Sequence, residues 1–83
     1  MNHAGIVEID LHGMNKYQAK IYIDSQLRKA KGGVYRIRVI HGYNRGTELK
    51  QFIQKEYGKK HPQVLRVEHG LNPGESDLVL KEF

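Results

Sequence analysis

The 83-residue sequence contains no cysteine, which excludes disulfides, thiolate metal sites and cysteine nucleophiles. It also lacks long apolar runs, and its longest run is far below the ~20 residues that a helix needs to cross a bilayer. The segment before Gly13 has no Lys or Arg, and Glu8 and Asp10 interrupt the apolar stretch that a signal peptide requires. These absences predict a soluble, cytoplasmic protein with no membrane partner.

Length and charge limit the number of domains and the class of partner. A chain of 83 residues forms one domain with one hydrophobic core. Fourteen Lys and Arg against nine Asp and Glu give a net charge of +5. That charge keeps a small domain soluble, and it also fits attraction to a polyanion such as nucleic acid. Charge alone leaves both interpretations open.

Hydrophobic periodicity and turn residues predict the element order β-α-β-α-β-β. The predicted strands cover residues 6–11, 34–40, 64–68 and 78–80. A capping box at residues 15–18 begins the first helix, and Thr47 can cap the second. Residues 70–77 are predicted as a loop, residues 1–5 as an N-terminal lead-in, and residues 6–83 as the domain.

This element order predicts an α/β fold. Two helices of this length can cover one face of a four-stranded mixed sheet, which gives a two-layer sandwich. A right-handed crossover makes the first two strands parallel, and the last two pair antiparallel.

Asp10 and His12 lie at the end of the first predicted strand. Residues two apart in a strand share a face with their backbones about 6.5–7 Å apart, so we expect the side chains to converge on one ligand without bonding each other. Ligands of open α/β sheets bind at such strand ends. Histidine suits general acid–base catalysis because its ordinary pKa lies near ~6.5. Alternatively, Asp10 caps the turn at Gly13 and His12 is a bystander.

His41 has the equivalent place at the end of the second predicted strand. If the parallel strands are in register, His41 lies about 5 Å from His12. Alternatively, His41 is a core histidine with satisfied hydrogen bonds.

The turn at residues 42–46 opens the second helix. Free amides at a helix N-terminus and the guanidinium of Arg45 favour a phosphate, and Tyr43 can stack on a base. An ordinary strand-to-helix turn is the alternative, and the segment lacks the Gly-Lys-Ser/Thr ending of a Walker A loop.

Three segments together resemble the Smr (small MutS-related) domain family. They are Ile-Asp-Leu-His-Gly at residues 9–13, His-Gly and its glycine turn at 41–46, and the glycine turn before the last strand. The resemblance covers about residues 6–83. It implies a fold like the C-terminal domain of translation initiation factor three. It also implies nucleic-acid binding, with endonuclease activity on DNA or RNA in many members.

The resemblance implies that Asp10 and His12 are the catalytic residues. The residues predicted to contact phosphate or nucleic acid are His41, Gly42, Tyr43, Asn44, Arg45, Gly46 and Gly74. The chain departs from the family pattern at Asn44, where a glycine is common, and at Glu75 and Asp77 in the third motif. Carboxylates there would repel a nearby phosphate.

The sequence thus predicts a nucleic-acid-binding domain that nicks DNA or RNA. A non-catalytic adaptor to nucleic acid or to a ribosome is the rival, and a small-ligand regulatory domain is a third class. Mg²⁺ or Mn²⁺ could hold a water beside Asp10, although the His-x₃-His and His-Glu-x-x-His spacings of metal sites are absent. No small-molecule cofactor is expected.

Overall fold

The computed structural model describes residues 2–3, 5–30, 32–42, 46–59, 61–70 and 73–82. Within these ranges the chain forms five strands and two helices. In chain order they are β1 Asn2–His3, β2 Ile6–Asp10, α1 Lys16–Lys29, β3 Arg36–Ile40, α2 Gly46–Tyr57, β4 Arg66–His69 and β5 Glu75–Val79. The predicted α/β class is confirmed, with both helices and all four predicted strands present.

All the strands belong to one mixed sheet with the order β1-β2-β3-β5-β4. β2 and β3 are parallel, whereas β5 is antiparallel to both β3 and β4. The α1 and α2 crossovers therefore advance in the same direction across the sheet. Two right-handed crossovers in one direction place both helices over the same face. Because each helix follows the carboxyl end of a parallel strand, both helices begin at the same edge of the sheet.

The hydrophobic core lies between the sheet and this helix layer. Alternate strand residues face the helices, and Ile37, Val39 and Leu78 have no exposed surface. The helices contribute residues at helical spacing to the same cluster, namely Ala19, Ile23 and Leu27 from α1 and Leu49, Ile53 and Tyr57 from α2. The predicted capping box is confirmed, since Gln18 N–H donates to Asn15 Oδ1 at 2.8 Å and Asn15 N–H to Gln18 Oε1 at 3.0 Å.

The described elements differ from the predicted ones at both ends of the chain. Within the predicted lead-in, Asn2–His3 pairs antiparallel with the start of β2, after which Gly5 turns the chain at a φ of 94°. The last strand begins at Glu75 instead of residue 78, because Glu75 pairs with Ile40 of β3. Residues 75–77 are therefore strand, although their glycine- and proline-rich surroundings predicted a loop.

Asp77 lies on the face of the sheet that the helices leave open. Its side chain is only 4% exposed, and it accepts hydrogen bonds from Arg36 at 2.7 Å and from Arg38 at 3.1 and 3.3 Å. These bonds raise the pKa of both guanidinium groups. Asp77 is therefore part of a charge cluster with two arginines on the open face of the sheet, and repulsion of a nearby phosphate by Glu75 and Asp77 stays a prediction.

The longer helix, α1, has 14 residues. Among the described residues, no helix combines the length and the apolar character needed to cross a membrane.

Candidate functional site

Asp10 ends β2, and His12 follows it in the turn toward α1. His12 Nδ1 lies 2.7 Å from Asp10 Oδ1, and the backbone N–H of His12 donates to the same oxygen at 3.0 Å. The expectation that the two side chains do not bond each other is wrong. The strand ends at Asp10, so the chain folds His12 back over the carboxylate in an Asx turn. Asp10 therefore caps the turn and pairs with His12 simultaneously.

The Asp10–His12 pair is open to solvent, with side chains 53% and 73% exposed. The hydrogen bond from the His12 ring holds the pKa of Asp10 below its ordinary value. An ionised carboxylate only accepts, so Nδ1 of His12 carries the hydrogen. The second ring nitrogen, Nε2, can then exchange a proton with an external group.

The ends of β2 and β3 lie side by side, as predicted for parallel neighbours. Asp10 is in register with Ile40, and Leu11 N–H donates to the Ile40 carbonyl at 2.7 Å. The residue beside His12 is Gly42, however, where an added Cβ would lie 3.5 Å from the His12 Cβ. His12 is therefore in register with Gly42 and not with His41, which is one residue earlier.

His41 faces the helix layer and is 2% exposed. Its Nδ1 lies 3.2 Å from the Gly42 carbonyl and its Nε2 2.9 Å from the Ser76 hydroxyl. A carbonyl only accepts, so Nδ1 donates to Gly42 and Nε2 accepts from Ser76. Burial lowers the pKa of His41, which keeps the ring neutral near pH 7. This is the core histidine that the sequence left open as an alternative.

The sequence indicates that His41 faces the core, but it does not indicate that Ser76 is the hydrogen-bond partner of His41. Ile37 and Val39 alternate toward the core, and His41 continues the same alternation beyond β3. Ser76 is fully buried opposite Val39, in a segment predicted as a loop. Only the pairing of β3 with β5 brings the Ser76 hydroxyl to the imidazole.

We expect acidification to destabilise the domain through His41. The unfolded ring titrates near ~6.5 and the folded ring below that value, so unfolding takes up a proton. The stabilisation is complete above pH ~6.5 and is lost as the pH falls through the folded pKa. Urea denaturation at pH 7.5 and 5.5 measures the effect.

His41→Gln should show a smaller decrease in the free energy of unfolding between these two pH values. His69→Gln is the matched control, because His69 is exposed at the end of β4 and its variant should keep the wild-type pH dependence. An unchanged pH dependence in His41→Gln would contradict this account.

Gly42 and Gly74 hold the turn after β3 against the start of β5. Gly42 has a φ of 89°, a left-handed conformation that favours glycine. The N–H groups of His41 and Gly42 both donate to the Gly74 carbonyl, at 2.9 and 3.1 Å. These two amides therefore serve the fold, and direct contact of phosphate with Gly42 or Gly74 stays a prediction. The predicted contacts Tyr43, Asn44 and Arg45 lie outside the described residues.

A cleft of about 240 Å³ lies between the starts of the two helices. It is lined by Gly13, Met14, Asn15, Lys16, His41, Glu48 and Leu49. α2 begins here at Gly46, and the positive end of a helix dipole favours an anion. Lys16 and Glu48 approach each other to 3.6 Å in this cleft, and both side chains are more than half exposed.

Asp10 and His12 supply two candidate ligands for a metal ion. Across the parts of the chain that the structure describes, no group of three or more His, Asp and Glu side chains could hold one. Mg²⁺ usually binds through one or two carboxylates together with water and substrate phosphates, so a Mg²⁺ or Mn²⁺ ion at Asp10 stays a prediction, and no step proposed below runs through a metal.

Comparisons with known proteins agree with this fold. The family model for the Smr domain matches residues 9–76. The structure is similar to the Smr domain of Thermus thermophilus MutS2, with a TM-score of 0.78 and 22% sequence identity over 92% of this chain and 99% of that one. No curated protein matches the sequence. The family match spans most of the chain and includes the Asp10–His12 segment, so the protein belongs to the Smr domain family.

Proposed function

We propose that this Smr domain binds nucleic acid and nicks its sugar–phosphate backbone at the Asp10–His12 pair. The observation that carries the proposal is an exposed imidazole whose Nδ1 lies 2.7 Å from a carboxylate at the edge where two parallel strands end. A carboxylate on one ring nitrogen fixes the tautomer, which leaves the other nitrogen able to accept a proton. The same carboxylate stabilises the imidazolium that then forms.

In this mechanism, Nε2 of His12 takes the proton of the attacking oxygen. That oxygen is the 2′-hydroxyl of the neighbouring ribose in RNA or a water molecule in DNA. The new oxygen–phosphorus bond forms as the bond to the leaving oxygen breaks. The leaving oxygen takes up a proton from the imidazolium, which returns His12 to its neutral form, or from solvent, in which case the imidazolium releases its proton to solvent.

Charge and helix placement support binding of the polyanion. The chain carries a net charge of +5 at pH 7, and both helices begin at the edge where His12 lies. Helix N-termini attract phosphate through free amides and the helix dipole. Lys16 adds an exposed charge at this edge. Arg45 follows β3 in the sequence and supplies a further positive charge in the proposed phosphate contact.

We expect binding of a labelled oligonucleotide to weaken strongly as salt increases. Each phosphate contact releases counterions, so the logarithm of the association constant should fall with the logarithm of salt concentration by about 0.7 per contact on a single strand. Lys16→Gln should reduce this slope, whereas Lys59→Gln, an exposed lysine beyond the other end of α2, should leave it unchanged. Fluorescence anisotropy measures the salt slopes of the wild type and of both variants. A wild-type affinity that does not change with salt would reject nucleic-acid binding.

Incubation with end-labelled RNA and DNA, with and without Mg²⁺ or Mn²⁺, tests the nicking step separately. The wild-type domain should cut at least one of these strands. Salt-dependent binding without any cleavage would reject the nicking step and leave the adaptor function.

A further inference from the structure

An open groove of about 570 Å³ extends from His12 along the outer side of α1. It is lined by His12, Gly13, Met14, Gln18, Ile21 and Tyr22. The volume lies within the ~300–1,000 Å³ that is usual for small-molecule sites. Because His12 belongs to its wall, the groove is continuous with the Asp10–His12 pair.

The groove presents apolar surface to water. Met14 and Tyr22 pack partly against the core and contribute their remaining surface to the groove. Ile21, which lines the groove, is 55% exposed. Each of these side chains would lose unfavourable contact with water if a flat apolar group covered it.

Besides His12, the polar side chain of Gln18 lines the groove. Gln18 uses its Oε1 to accept the Asn15 N–H in the capping box, which fixes the orientation of the side chain. The Gln18 amide nitrogen keeps its donor capacity, so it can bond an acceptor on a ligand. An aromatic ring, aliphatic side chains and one amide donor match a flat ring with apolar faces and a polar edge.

We propose that this groove holds an unpaired nucleobase of the strand whose phosphate lies at His12. The inference rests on the proposed function and names the substrate class of the same site. Aromatic side chains give stacking surfaces for bases of any sequence, and Tyr22 offers such a ring beside the apolar surface of Ile21. The sugar–phosphate at His12 tethers the base, so base and backbone bind together.

The groove therefore selects single-stranded or locally unpaired nucleic acid. A base in a duplex is paired and stacked, and it must leave the helix to enter a pocket. A strand that is already unpaired meets no such cost. A nick then falls beside an exposed base and not within a continuous duplex.

The test compares a single-stranded oligodeoxyadenylate with an abasic strand of the same length, which carries the same phosphates without bases. At equal salt, the wild-type domain should bind the abasic strand roughly tenfold more weakly. Tyr22→Leu, which keeps apolar bulk without the ring, should weaken binding of the base-containing strand by a factor of about 5–10. Ile21→Ser should weaken it about threefold, and neither variant should change binding of the abasic strand.

Leu65→Ser is the matched control, because Leu65 is 58% exposed and does not line the groove. It should bind both strands as the wild type does. Circular dichroism checks that each variant folds. If Tyr22→Leu fails to fold, the affinities of Ile21→Ser decide the result.

Equal wild-type affinity for the two strands, with a normal salt dependence, would overturn the groove assignment and leave the proposed function intact. The groove assignment would also be overturned if Tyr22→Leu and Ile21→Ser fold and keep the full wild-type difference in affinity between the two strands. Absence of salt-dependent binding to either DNA strand and to an oligoadenylate of RNA would reject the proposed function and the groove assignment together.

Discussion

Replacement of His12 by alanine is expected to lower the nicking rate by a factor of about 10²–10⁴, the usual contribution of a general acid or base. The His12 side chain is 73% exposed, so its loss should leave the fold and the binding of nucleic acid nearly unchanged. Single-turnover cleavage of end-labelled strands measures the rate, and anisotropy measures affinity on the same preparations. A decrease in rate at constant affinity is the signature of a group that acts in the chemical step.

Asp10→Asn separates the two roles of Asp10. The amide oxygen can still accept the backbone N–H of His12 and cap the turn, but the charge that fixes the His12 tautomer is gone. We therefore expect the nicking rate of Asp10→Asn to fall nearly as far as that of His12→Ala. The free energy of unfolding should change little, because the turn stays capped.

His69→Ala is the control for removal of an exposed histidine, and it should cut at the wild-type rate. Undiminished cutting by His12→Ala would assign the activity to a contaminant or to another base.

Replacement of Asp77 by alanine is expected to have the largest effect on stability, a loss of roughly 3 kcal/mol in the free energy of unfolding. The carboxylate is 4% exposed and accepts hydrogen bonds from both Arg36 and Arg38, whose side chains are 22% exposed. Its removal leaves the partly buried Arg38 without its carboxylate partner and Arg36 with Glu68 alone, at 3.0 Å. In a domain of this size each kcal/mol shifts the melting temperature by about 4–8 °C.

Urea denaturation of Asp77→Ala and of Glu48→Ala measures the contrast. Glu48 pairs with Lys16 at 3.6 Å on the surface, where ion pairs contribute about 0–1 kcal/mol. A loss below about 1 kcal/mol in Asp77→Ala would contradict a structural role for this charge cluster.

Local patterns in the sequence determine most of the fold. Alternating apolar residues define β2 and β3, and the capping box at Asn15 defines the start of α1, because these signals involve neighbours in the chain. β1 contains two residues, too few for any periodicity, and it forms only because the start of β2 is beside it. The start of β5 likewise depends on pairing with β3.

The sequence by itself determined the Smr family and the placement of Asp10 and His12 at the end of a strand, because motif residues and strand ends are local features. Only the tertiary structure decided which side chains meet. The pairing of β3 with β5 brings Ser76 to His41, and the register of β2 and β3 sets Gly42 beside His12. The packing of α1 on the sheet opens the groove along Ile21 and Tyr22. The contacts of His41 with Ser76 and of His12 with Gly42 join residues distant in the chain, and a pattern along the chain does not contain the strand pairing that brings them together.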